Sequence, residues 1–412
     1  MIETIKLDNG ITIVFEKMPF VRSVAFGIFV KNGSRNENSQ NNGISHFIEH
    51  LMFKGTKNRT AKQIADEIDS IGGQINAYTT KEYTCYYTRT LDSHFNTAFD
   101  VLSDMYFNSL FSDDDIKKER NVIIEEINMY EDSPEEVGYD SLQEEIWKGN
   151  SLSFPILGTE ETISNFDSKF IKDYYKKHYR SDNTVVAIAG NFDREYVIEK
   201  IKESFGKIPK MDITDVCEKP KYFKSIIRKE KDIEQLHLTM CFDGVPLGSD
   251  DTYALTAINT VFGGGMSSRL FQKIREENGL AYTVYSFTSS FINSGLFGIY
   301  AALNSSQLSQ VNELIYKEIS EFKKEKISPE QLAKTKEQIK SNFILSLENS
   351  SSRASNIGRN QVLLSRTREV DEIIKKVDDI NVETINRLID TVFDVDNMSI
   401  SIVGRNVQNL TL

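Results

Sequence analysis

The stretch His46-Phe47-Ile48-Glu49-His50 (HFIEH) decides how the rest of the chain is read. On a helix, positions 46 and 50 lie four apart and 46 and 49 three apart, so the three polar side chains share one face. Two imidazoles at that spacing can bind one zinc ion, and a carboxylate beside them can take a proton from a neighbouring water. The order is the inverse of H-E-x-x-H. With only 5 histidines in 412 residues, a pair at helical spacing around a glutamate is poorly explained by chance on a solvated face. The pattern predicts a helix that carries two metal ligands and a general base.

Catalytic zinc usually takes three protein ligands and keeps one position open. HFIEH supplies two. The acidic segment 112–132, SDDDIKKERNVIIEEINMYED, is the best place to look for the third. Ser112 suits a helix cap, and Asp113, Asp114 and Asp115 suit the positive end of the helix dipole. Ile116, Ile123 and Ile127 predict its buried stripe. Glu119 and Glu126 both fall roughly 60–80° to one side of that stripe, at ~100° per residue, whereas Glu125 points to the opposite face. A carboxylate among apolar positions is costly unless it is paired or bound to metal. Geometry therefore leaves Glu126 and Glu119 both open as the third ligand.

Composition narrows the class. At 39% hydrophobic and 27% charged, the chain has the balance of an ordinary globular protein, and its length suits two large domains. A net charge of -12 argues against a nucleic-acid partner. No apolar run reaches the roughly 18 residues of a membrane span. The N-terminal MIETIKLDNGITIVFEKM alternates like a strand and has neither signal-peptide nor transit-peptide character, so the expectation is cytoplasmic. Cys85, Cys217 and Cys241 are widely spaced and form no C-x-x-C, which suits reduced thiols. The run Gly263-Gly264-Gly265 lacks the Lys and the spacing of a phosphate loop, so a nucleotide role is rejected.

The pattern along the chain predicts a repeat. Residues 2–16 and 22–31 read as paired strands around the turn at Asp8-Asn9-Gly10, followed by the HFIEH helix. Thr60-Ala61-Lys62-Gln63 is a capping box opening a second helix. Strands at 74–79 and 83–90, several helices, and a buried strand at 184–189 complete the half. Residues 209–223 read as a linker. Strands at 224–230 and 234–242, helices, strands at 281–288 and 295–302, more helices and a strand at 397–403 then repeat the order. Residues 349–360 stay open as a flexible turn or a helix start. The expected organisation is a catalytic half at 1–208, the linker 209–223, and a metal-free half at 224–412, since helix 250–262 has neither His nor Glu where the first half has its motif.

HFIEH, with Glu126 76 residues beyond His50 inside ERNVIIEE, resembles the pitrilysin family of inverted-zincin peptidases, which includes insulin-degrading enzyme and the mitochondrial processing peptidase. Other matches extend along the chain. GGQINAYTTKEYTCYY (72–87) is similar to the family's edge strand, and GGGMSSRLFQKIREENGLAYTVYS (263–286) to the hallmark of its second half. The resemblance implies an α+β fold of two homologous halves, each a mixed, mostly antiparallel sheet covered by helices, closing as a clamshell around a peptide chamber. It implies one Zn²⁺ per chain on His46, His50 and Glu126, with Glu119 supporting the site. Asn76 and Ala77 would meet the substrate backbone, and Arg275 and Tyr282 would reach the site from the second half. Phe53, one turn beyond His50, is a candidate for the pocket wall. The length is closest to short bacterial members that form homodimers. Phe154 stands at a position that is usually small in the family, with no catalytic consequence.

The expected activity is zinc-dependent cleavage of short or unfolded peptides bound as an added edge strand, with Glu49 as general base and Tyr282 as oxyanion donor positioned by Arg275. The alternative is a non-catalytic peptide-binding or scaffold homologue. Such members usually lose a residue of H-x-x-E-H, and all are present in this chain.

Overall fold

The structure, a computed structural model, describes residues 1–211 and 217–410. The chain forms two compact units. Part of the expected linker, residues 212–216, lies outside the described residues.

The first unit comprises Met1–Ile127, Phe154–Val216 and Ile344–Glu369. Its strands are β1 (Ile2–Lys6), β2 (Thr12–Lys17), β3 (Ser23–Val30), β4 (Gln74–Thr79), β5 (Thr84–Leu91) and β6 (Thr184–Gly190). They form one sheet in the order β1-β2-β6-β3-β5-β4. The Asp8-Asn9-Gly10 turn joins β1 to β2 as a hairpin. β2 and β3 do not pair, contrary to the reading of 2–16 and 22–31 as partners. β6 inserts between them, parallel to β2 and antiparallel to β3. Its sequence TVVAIAG explains this, because all seven residues are buried, as only a central strand covered on both faces can be.

Helices α1 (Ile44–Met52), α2 (Ala61–Ser70), α3 (Phe95–Asn108) and α4 (Asp113–Glu131) follow in the first stretch of chain. Phe26 and Ile28 of β3 pack with Phe47, Ile48 and Phe99 from α1 and α3 in the main core of this unit. Burying each such side chain contributes roughly 1.5–3 kcal/mol. The other face of β3 carries Ala25, Gly27 and Phe29. It is covered by a helix from far along the chain, introduced below.

The next helices are α5 (Pro134–Ile146), α6 (Glu160–Ser164), α7 (Ser168–His178) and α8 (Arg194–Phe205). The second unit comprises Asn128–Ser153, Cys217–Phe343 and Val370–Leu412. Its strands are β7 (Ile226–Glu230), β8 (Leu236–Asp243), β9 (Ala281–Phe291), β10 (Ser294–Leu303) and β11 (Ser399–Gly404). Its later helices are α9 (Thr252–Phe262), α10 (Leu308–Glu325), α11 (Pro329–Ser346), α12 (Ser350–Leu364), α13 (Val370–Asp378) and α14 (Val382–Val392). The sheet order is β7-β11-β8-β10-β9. One parallel pair, β7 with β11, is followed by antiparallel pairs, as β2 with β6 begins the same sequence of directions in the first unit. The repeat therefore holds strand by strand, with β1 as an addition.

The units are not the continuous halves 1–208 and 224–412. Helix α5, from the first stretch, packs on β11 and β8 of the second sheet. Helix α12, from the second stretch, packs on β3 and β6 of the first. The reason is burial. Each sheet has a second face of small or apolar residues that needs a cover. Ala25 and Ala189 meet Ala354 of α12 in one unit, and Cys241 and Leu296 meet Leu142 and Ile146 of α5 in the other. The open segment 349–360 is thus the start of α12, capped by Asn349, whose Oδ1 accepts from Ser352 N at 2.9 Å. Among the described residues, no helix is long and apolar enough to cross a membrane.

Candidate active site

The site begins at the N-terminus of α1. Gly43 caps it at φ 93°, where a Cβ would also stand 2.6 Å from Leu157 O, so glycine is required. The buried Glu37 carboxylate accepts from Gly43 N at 2.7 Å, Ser45 N at 2.8 Å and Asn42 Nδ2 at 2.9 Å. It satisfies the orphan donors of the helix and fixes its start. Phe47, Ile48 and Leu51 then drive one face of α1 into the core. The opposite face presents His46, Glu49 and His50.

Helix α4 brings the acids. Its buried stripe is Ile116, Glu119 and Ile123, with Ile127 partly buried, while Glu125 is exposed. Glu126 Oε2 lies 3.6 Å from His46 Nε2 and 3.4 Å from His50 Nε2. Ligands about 2.0–2.1 Å from a tetrahedral zinc stand roughly 3.4 Å apart. Ligand atoms of His46, His50 and Glu126 all lie within 4.8 Å of one another, and this donor set fits a zinc ion. Of the two acids that sequence geometry left open, Glu126 thus faces both imidazoles across the ligand position. Glu119 lies behind it. Its Oε2 is 3.2 Å from His50 Nδ1, and its Oε1 is 2.7 Å from Lys54 Nζ.

The electrostatics follow from this packing. Burial works against the charged form of His50, but the hydrogen bonds of Glu119 and Glu126 outweigh it and raise the imidazole to about 9. Burial, then the adjacent His50 charge, lowers His46 to about 4. Burial raises Glu49 above the ordinary carboxylate value, with Glu126 adding to the rise against a hydrogen bond from Thr79. That bond, Thr79 Oγ1 to Glu49 Oε2, is 2.5 Å long.

Strand β4 borders the site and is an edge of its sheet, paired among the described residues with β5 alone. Asn76 is exposed, and its Oδ1 accepts from Ala77 N–H at 2.8 Å. Ala77 is partly buried against the core, as is Phe53 at the end of α1. In the second unit, Arg275 lies in a turn of π-helix at Phe271–Glu277, with its guanidinium 4.8 Å from the Phe271 ring and 5.3 Å from the Tyr282 ring. Tyr282 stands on β9, an edge of the second sheet, and is 75% exposed.

Three contributors escaped the sequence reading. Lys54 lies two residues past the end of α1, in a turn where its N–H donates to Leu51 O, and helical spacing does not give the direction of its side chain. Glu37 precedes a Gly-started helix, a position that suits capping. Thr79 gave no signal, because a strand threonine is ordinary.

A His-His-Glu cluster on two helices beside a sheet edge, in a mixed α+β fold, offers the donor set of a zinc site. The description "Insulinase (Peptidase family M16)" matches residues 12–160, and "Peptidase M16 inactive domain" matches 165–339. The chain belongs to peptidase family M16. It is 42% identical to the uncharacterized zinc protease YmxG of Bacillus subtilis (strain 168), over 96% of this chain and 97% of that one. It is 37% identical to an uncharacterized zinc protease of Rickettsia felis, over 97% of each. Among solved structures, a peptidase M16 inactive domain from Pseudomonas fluorescens superimposes with TM-score 0.91 at 18% identity, covering 98% of each chain. A protease from Helicobacter pylori does so with TM-score 0.88 at 22% identity, covering 98% of this chain and 99% of that one. These structural likenesses speak to the fold.

Proposed function

We propose that this chain is a zinc-dependent endopeptidase that hydrolyses short or unfolded peptides. The observation that carries the reading is the convergence of His46, His50 and Glu126 on one ligand position, with Glu49 on the same helix face. Its relatives' names as zinc proteases support it. His46, His50 and Glu126 would hold one zinc ion, which when bound supplies Lewis acidity toward the scissile carbonyl and the attacking water.

The chain's own residues do the rest. Glu49 takes the proton of the attacking water and passes it to the leaving amine. Its raised pKa brings it closer to the working pH, as a base that must also act as an acid requires. Glu119 holds His50 in the tautomer whose Nε2 faces the ligand position. A peptide backbone adds to the open edge of β4 and takes the Ala77 N–H that Asn76 Oδ1 now accepts. An extended, unfolded segment can do this, whereas a folded protein cannot. Phe53 lining the adjacent pocket, Tyr282 donating to the oxyanion and Arg275 positioning it, in a chamber closed around the peptide, belong to the same proposal. So do a homodimeric state and a cytoplasmic location. Buried Cys85 and Cys241, one in each unit, suit a reducing compartment.

The test compares wild type with Glu49→Gln on an unstructured peptide library, with products read by mass spectrometry and zinc by elemental analysis. We expect one zinc per chain in both proteins, chelator-sensitive cleavage by wild type, and a rate about 10²–10⁴-fold lower for the variant. A zinc-loaded wild type that cleaves nothing would support a non-catalytic peptide-binding protein instead. A zinc-loaded variant with the full rate would remove Glu49 as the base.

A further inference from the structure

Thr79 joins two parts of the site. Its hydroxyl donates to Glu49 Oε2 at 2.5 Å, in the short range of a bond to an ionised carboxylate. It is also the last residue of β4, two beyond Ala77, on the edge strand where the peptide is proposed to dock. Strand alternation puts Thr79 on the same face as Ile75 and Ala77, both packed against the first core.

The backbone around Thr79 is tightly held. It pairs with Thr84 of β5 in the ladder. In the turn that follows, Thr80 N and Thr80 Oγ1 each donate to Tyr83 O at 2.8 Å. Thr80 Oγ1 in turn accepts from Tyr83 N at 3.0 Å and Glu82 N at 3.2 Å. A β-branched residue on so rigid a backbone has restricted χ1. The hydroxyl is therefore a fixed point, whereas glutamate has three rotatable bonds of its own. Among the described residues the Glu49 carboxylate has no other hydrogen-bond partner.

We infer that Thr79 is a positioning residue for Glu49. It clamps Oε2 so that Oε1 is the oxygen presented to the water, and it ties the aim of the base to the strand that receives the substrate. This inference rests on the peptidase reading for its kinetic consequence, but not for its geometric one.

Thr79→Val replaces the hydroxyl with a methyl of similar size, and Thr79→Ser keeps the hydroxyl. We expect Thr79→Val to lose roughly 10- to 100-fold in kcat, with KM and zinc content unchanged, because a small misplacement of a catalytic group costs that much. Thr79→Ser should recover most of the loss. Crystal structures of the metal-free proteins should show the Glu49 carboxylate displaced in Thr79→Val and in place in Thr79→Ser. The inference is overturned by a Thr79→Val kcat within twofold of wild type, by a change in KM or zinc content instead of kcat, or by a Thr79→Ser that fails to recover. If wild type proves inactive on every peptide, the peptidase reading fails, and the metal-free structures still decide the clamp. An unmoved Glu49 in Thr79→Val would end it.

Discussion

His50 Nδ1 lies 3.2 Å from Glu119 Oε2. Burial works against ionisation of Glu119, but His50 and Lys54 outweigh it and hold the carboxyl below its ordinary value, so Glu119 is an acceptor only. The proton between the two therefore belongs to Nδ1, and in the neutral ring Nε2 carries the lone pair, facing Glu126.

Glu119→Gln keeps the shape but removes the charge that both His50 and Lys54 face. Zinc affinity should fall about 10- to 100-fold, measured by competition against a chromophoric chelator. An affinity within twofold of wild type would show that Glu119 does not set the tautomer.

Loading of the ion should release protons in a defined amount. In the metal-free chain at pH 7, His50, raised to about 9, is charged and His46, lowered to about 4, is neutral. A ligating imidazole must be neutral, so zinc should expel about one proton from His50 at pH 7 and progressively fewer as pH rises through about 9. Calorimetry in buffers of different ionisation enthalpy measures this. The sign for stability follows from the same shift. The His50 folded value lies above its ordinary 6.5, so its contribution to metal-free stability is full below about 6.5 and is lost as pH rises through about 9. Proton release that stays constant from pH 6 to 10 would contradict the assignment.

The two exchanged helices make a contrast in packing. A Cβ at Gly358 of α12 would stand 2.2 Å from the buried Phe29 ring, which is itself stacked on Tyr83. Gly358→Ala should destabilise by about 1–3 kcal/mol through overpacking. At Gly138 of α5, a Cβ meets Thr239 Oγ1 and Val403 Cγ2 at 3.4 Å, which is close to ordinary contact. There, the roughly 1 kcal/mol gain in helix propensity offsets the tightness, and Gly138→Ala should be close to neutral. Denaturant unfolding of both variants decides the point. Equal effects would show that the two covers do not differ in this way.

Tyr282→Phe removes a hydroxyl while leaving the ring that Arg275 faces at 5.3 Å. If the hydroxyl serves the oxyanion, kcat should fall about 10²-fold with Tm and zinc content unchanged. A kcat within twofold of wild type would take Tyr282 out of the machinery.

Much of this was legible in the chain itself. HFIEH fixed three residues of the candidate site, because helical spacing puts them on one face whatever surrounds the helix. The start of α4 and the place of Glu119 and Glu126 beside its buried stripe followed from charge at a helix start and from the isoleucines. Local periodicity also found the strands of both sheets. Its one pairing error, β2 with β3, arose because periodicity reports which face a strand buries and says nothing of its neighbour.

What the sequence determined by itself is local: which segments become helix or strand, and which donors share a face. Tertiary structure alone decided that β6 inserts between β2 and β3, that α5 and α12 exchange covers, and that Glu126 rather than Glu119 faces both imidazoles. It alone put the Thr79 hydroxyl on Glu49. Each of these depends on contacts between residues distant in the chain, and those are set by how whole apolar faces are buried.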